Sequence, residues 1–117
     1  MATFRPFEIE ALRLLCESAL PTEVLTAILA TETAAPYEYT GCGYYLTVRH
    51  ACLASETHTL SRPAVIGVAG DVVAGFIVHV VDGALTLECH TWGAVDVPPD
   101  FRERSVSIGL LRHATPQ

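Results

Sequence analysis

The sequence predicts an α+β domain, with a pair of N-terminal helices over about residues 6–32 packed on an antiparallel β-meander of four to five strands over about residues 37–110. Three observations carry that expectation. Apolar residues recur at helical spacing as far as residue 32 and alternate from residue 37 onward. Helical and strand segments are segregated along the chain rather than interleaved, which argues against a parallel sheet. Asp82-Gly83 lies between two apolar alternating runs, the signature of a two-residue hairpin turn.

The elements follow in order. Pro6 suits a first helical position, Glu8 and Glu10 suit the opening turn, and Ile9, Leu12, Leu15, Cys16 and Ala19 fall on one face, so a helix is expected over Pro6–Ala19. Pro21 ends it and opens a second helix over Thr22–Glu32, with Val24, Leu25, Ile28 and Leu29 as its apolar stripe. Residues 33–36 read as a linker. Tyr37 to Thr40 alternates, Gly41-Cys42-Gly43 allows a turn or bulge, and Tyr44 to His50 reads as a strand. Ala51 to Pro63 is polar and without period, and is expected to be loop. Ala64–Ala69, Val72–Val81 and Ala84–Trp92 read as strands, and Pro98-Pro99 bars regular structure. A short strand is expected near Ser105–Leu110, followed by a loose tail over residues 113–117.

The Asp82-Gly83 turn sets a register in which Val81 faces Ala84, His79 faces Thr86, Ile77 faces Glu88 and Gly75 faces His90. Phe76, Val78, Val80, Leu85, Leu87 and Cys89 then form an apolar face that belongs under the helices. The other face holds Ile77, His79, Thr86, Glu88, His90 and Trp92. Two imidazoles and a carboxylate there are candidates for an acid/base pair or a divalent-metal site. The ordinary reading is an outward row on a half-solvated antiparallel sheet.

Length and composition bound the function. The 117 residues suit one domain, and half of them are hydrophobic, enough for a core that needs neither metal nor disulfide to form. No apolar run reaches the ~20 residues of a membrane span, and the N-terminus lacks a basic start and apolar stretch, so a cytoplasmic protein is expected. Thirteen acids against seven basic residues, all Arg, give a net charge of −6. That balance argues against nucleic acid and favours basic partners. Lys and Asn are absent, the mark of a GC-rich genome. Cys16, Cys42, Cys52 and Cys89 show no Cys-x-x-Cys pairing, so buried thiols are expected rather than disulfides or zinc ligands.

Other groupings carry less. Gly41-Cys42-Gly43 could present a reactive thiol, but a small buried residue in a bulge explains it as well. Cys89 and His90 point to opposite faces and cannot readily share a metal. Gly67-Val68-Ala69-Gly70-Asp71 lacks the helix a phosphate cradle requires. Ser55, Glu56 and His58 lie in no Gly-x-Ser-x-Gly element. No catalytic residue, metal site or cofactor is therefore assigned. Tyr37, Tyr39, Tyr44 and Tyr45 crowd one stretch, a composition suited to a protein interface or to strands in general.

The segments Thr40 to Val48, Leu85 to Gly93 and Val97 to Arg104 resemble small bacterial immunity proteins that partner polymorphic toxins, including those of contact-dependent growth inhibition. The resemblance implies a non-enzymatic binding protein that covers a toxin's active site, with no catalytic residue carried over. Many such toxins are nucleases with basic clefts, toward which an acidic protein is steered. The expected partner is thus a basic toxin domain. The candidate contact residues are Glu17, Glu23, Glu32, Tyr37, Tyr39 and Tyr45, with Glu8 and Glu10 on the same acidic helical pair. A small enzyme using His79, Glu88 and His90 is the alternative, and a homodimer through the polar sheet face around Trp92 is a third reading.

Overall fold

A computed structural model describes residues 3–32 and 36–111, so the linker and tail expected at 33–36 and 113–117 lie largely or wholly outside the described residues. Two helices lead into the sheet. Helix α1 spans Pro6–Cys16 and helix α2 spans Thr22–Leu29. Pro6 starts α1 as expected, and the Glu8 side chain accepts the Arg5 backbone N–H at 2.7 Å, tying down the entry to the helix. The helix ends at Cys16, short of Ala19, because the Cys16 carbonyl takes the N–H groups of both Ala19 and Leu20 and turns the chain toward Pro21.

Six strands follow: β1 Tyr37–Tyr39, β2 Gly43–Arg49, β3 His58–Ala69, β4 Val72–Val81, β5 Ala84–Thr91 and β6 Ser107–Leu110. They form one antiparallel sheet in the order β1-β2-β5-β4-β3-β6. The α+β class is as the sequence predicts, with one or two more strands than expected. The order also departs from a meander, because β5 pairs on its free side with β2 (Tyr44 to Cys89, Leu46 to Leu87) and β6 closes on β3. The β4–β5 register matches the expectation at Val81–Ala84, His79–Thr86, Ile77–Glu88 and Gly75–His90.

The expected loop over 51–63 is the clearest correction. The His50 ring accepts the Cys52 N–H at 3.1 Å and starts a 3-10 turn over Ala51–Leu53. From His58 onward the chain is already strand, paired as Thr59 with His79 and Leu60 with Val78. The pairing then slips between Leu60 and Val65, where the Arg62–Pro63 peptide is cis. Pro63 has no N–H for a ladder and sits in that irregularity, and the slip hides the alternation from the sequence.

Both helices and the segment around Phe101 cover one sheet face. Phe7 packs on Phe76 at 6.2 Å and edge-on to Phe101 at 5.7 Å between ring centres. Leu12, Leu15, Leu25 and Ile28 join Leu46, Val78, Leu85 and Leu87 in the same core. Ile9, placed on the apolar stripe by its spacing, is only half-buried. Among the described residues no helix is long and apolar enough to cross a membrane.

Candidate functional site

Two polar groupings stand out, one on each side of the sheet. The first is the outward face, where alternation along β4 and β5 brings His79, Glu88, His90 and Trp92 together as expected. His79 Nε2 and Glu88 Oε1 lie 2.8 Å apart. A carboxylate can only accept, so the imidazole donates. His90 Nδ1 lies 3.9 Å from the other oxygen, Glu88 Oε2, too far for a hydrogen bond. That Nδ1 is buried and has no partner. The His90 ring leans over Gly75 toward Trp92, with ring centres 6.0 Å apart. Only glycine leaves room for this, because a Cβ at Gly75 would lie 2.6 Å from His90 Nε2 and 2.7 Å from Trp92 Cε3. Trp92 is 47 % exposed.

Among the described residues no three His, Cys, Asp or Glu side chains are grouped so as to hold a metal ion. Within the cluster Glu88 is hydrogen-bonded to His79 and not to His90. What remains is a hydrogen-bonded imidazole–carboxylate pair open to solvent, which can exchange a proton.

The second grouping lies beneath the helices and was not legible in the sequence. Glu8, expected on the acidic helical surface, is fully buried. Arg102 donates to it through Nε at 2.7 Å and Nη2 at 2.8 Å, and from Nη2 also to the Thr3 carbonyl at 2.9 Å. The Tyr44 hydroxyl makes a short hydrogen bond to Glu8 Oε2. The guanidinium lies 5.6 Å from the Tyr37 ring centre and 5.8 Å from that of Tyr44. Burial raises the Tyr44 hydroxyl pKa, and the neighbouring Glu8 charge raises it further. Burial pulls Arg102 down, but the Glu8 hydrogen bonds and charge outweigh it and hold Arg102 above its ordinary value. Each Glu8 oxygen therefore accepts a charge-assisted bond, the condition under which a buried carboxylate is tolerated. The only local signal was Glu8 two residues after Pro6 in a capping position, since its partner stands 94 residues away.

The candidate contact residues do not form one surface. Glu17, Glu23 and Glu32 are exposed on the helical layer, and Tyr37 is exposed on the same side of the sheet. Tyr39 is half-buried there, its hydroxyl donating to the Val97 carbonyl at 2.7 Å with the Gly41 carbonyl 3.0 Å away. Tyr45 pairs with Glu88 and lies on the opposite, outward face. The cysteines also divide. Cys16 and Cys89 are buried, while Cys42 and Cys52 are exposed, so burial fails as an expectation for two of the four. Cys42 sits in the turn after Gly41, whose φ of 97° only glycine adopts readily, and the turn lifts its side chain outward.

Comparison with known protein families, curated proteins and solved structures finds no match to this chain.

Proposed function

We propose that this chain is a protein-binding module without catalytic activity of its own, a bacterial immunity protein that neutralises a basic toxin domain by covering its active site. The observation that supports the reading best is the helical layer. Glu10 and Arg13 of α1 and Glu17 just past its end are exposed at helical spacing, and Glu23 and Glu32 extend the acidic surface across α2 and beyond. A lone arginine among four carboxylates leaves a negative field that steers a basic cleft toward it. Tyr37, exposed beside Arg102, offers an aromatic anchor on the same side of the sheet.

The test starts with capture of partners from the source bacterium, using this protein as bait. A stoichiometric partner with a basic C-terminal domain is expected. Glu17→Arg with Glu23→Arg should then slow its association by about tenfold at low salt and leave dissociation nearly unchanged. An unchanged on-rate removes the helical layer from the interface.

A second reading rests on the His79–Glu88 hydrogen bond, which has the geometry of an acid/base pair. Under that reading Glu88→Gln abolishes turnover of a hydrolysable substrate found by activity screening. A Glu88→Gln variant with full activity would end it.

A further inference from the structure

We propose that the outward face of the sheet is the contact between two copies of this chain, stacked sheet on sheet about a two-fold axis. The partner bound through the helices is a separate matter, so this inference stands apart from the toxin reading.

The face is uncovered among the described residues. The buried apolar side chains of α1 and α2, with Leu53 and Phe101, all join the core on the other side. What it offers is apolar at one corner: Ile66, Val68, Val73, Ile77 and Trp92 surround Gly75, with Val68 paired to Val73 and Ile66 to Gly75. Val68 is 37 % exposed and Trp92 47 %. A lone surface valine needs no explanation, but a valine–tryptophan corner on a half-open sheet is the composition of an interface centre.

Charge decides which occupant fits. The molecule carries a net −6, and two copies repel each other through most orientations. The outward positions of the six strands hold two carboxylates, Glu38 at the β1 edge and Glu88, which is already engaged by His79, with Arg49 on the same face. A basic partner would find almost nothing to pair with here. A second copy of the same acidic chain meets little of its own charge on this face.

Size is sufficient as well. With strands ~4.8 Å apart and ~3.4 Å per residue, six strands of these lengths present roughly 700 Å2 per copy, or about 1,400 Å2 for the pair, within the range of stable interfaces. The two sheets would lie about 10 Å apart, as in other face-to-face packings.

The experiment is sedimentation equilibrium on the full chain alone, read together with the emission of Trp92, the single tryptophan. The expected result is a species of twice 12.6 kDa at roughly 100 µM, with emission moving to shorter wavelength as concentration rises and the indole leaves water. Trp92→Arg should weaken the dimer by about thirtyfold or more, and Val68→Arg should act in the same direction, both with an unchanged far-ultraviolet dichroism spectrum. A monomer at every concentration overturns the proposal. So does a dimer whose Trp92 emission does not shift, or one that survives both arginine variants, since either places the contact elsewhere. None of these outcomes bears on whether the helical layer binds a basic toxin.

Discussion

Glu8 and Glu88 are both carboxylates held by nitrogen bases, one beneath the helices and one on the open face of the sheet. Glu8 is fully buried and takes two bonds from Arg102, one from Tyr44 and one from the Arg5 backbone. Glu88 takes one bond from His79 and lies within 3.9 Å of a second imidazole that does not reach it. The first grouping is closed, with every bond directed at holding α1, β2 and the segment around Phe101 in one arrangement. The second is open to solvent and leaves capacity unused. Similar residue types thus serve architecture where water is excluded and stay available for exchange or contact where it is not.

The largest effect that separates the two regions is expected from Arg102→Ala. It leaves Glu8 buried with its charge uncompensated, and should cost about 3–5 kcal/mol in urea denaturation. A loss under 1 kcal/mol would show that the closed grouping is not what holds the helix to the sheet.

Alkali sharpens the same contrast. Burial pushes the Cys16 thiol from 9.0 to about 12, and raises the Cys89 thiol and Tyr44 hydroxyl, with Glu8 adding to the latter two. In the unfolded chain these groups shed protons near their ordinary values, while the folded protein keeps them. Stability is therefore whole below about pH 9 and falls as the pH rises from there to 12, by up to about 1.4 kcal/mol per pH unit for each group. The urea midpoint between pH 8 and pH 11 measures this, and a flat midpoint contradicts it. The same burial predicts that a thiol reagent at neutral pH labels Cys42 and Cys52 quickly and reaches Cys16 and Cys89 only on unfolding.

The smallest effect is expected from His79→Ala. Its bond to Glu88 is half-exposed, so stability should fall by about 1 kcal/mol at most. A loss as large as that of Arg102→Ala would erase the distinction between the two regions.

The two regions also differ in how far the sequence reveals them. His79, Glu88 and His90 belong to one hairpin, and a two-residue turn fixes every pair in it, so the outward cluster follows from alternation and the Asp82-Gly83 dipeptide. The Glu8 grouping depends on contacts across almost the whole chain. No local period announces that a helical glutamate and an arginine after two prolines will meet. The β2–β5 pairing is likewise a long-range choice, made by the match of Tyr44, Leu46 and Val48 to Cys89, Leu87 and Leu85. The first half of β3 was missed for a local reason, since a polar edge segment containing Pro63 reads as loop until its partner strand is known.

The distance along the chain between Glu8 and Arg102 has a consequence for how the protein comes to be. The β3–β4–β5 hairpins are made of near neighbours and can form while synthesis is under way, whereas the first helix cannot settle its buried carboxylate until the guanidinium 94 residues later has left the ribosome. A product cut short before Arg102 is therefore expected to leave Glu8 without its cation and to be cleaved by protease faster than the full chain.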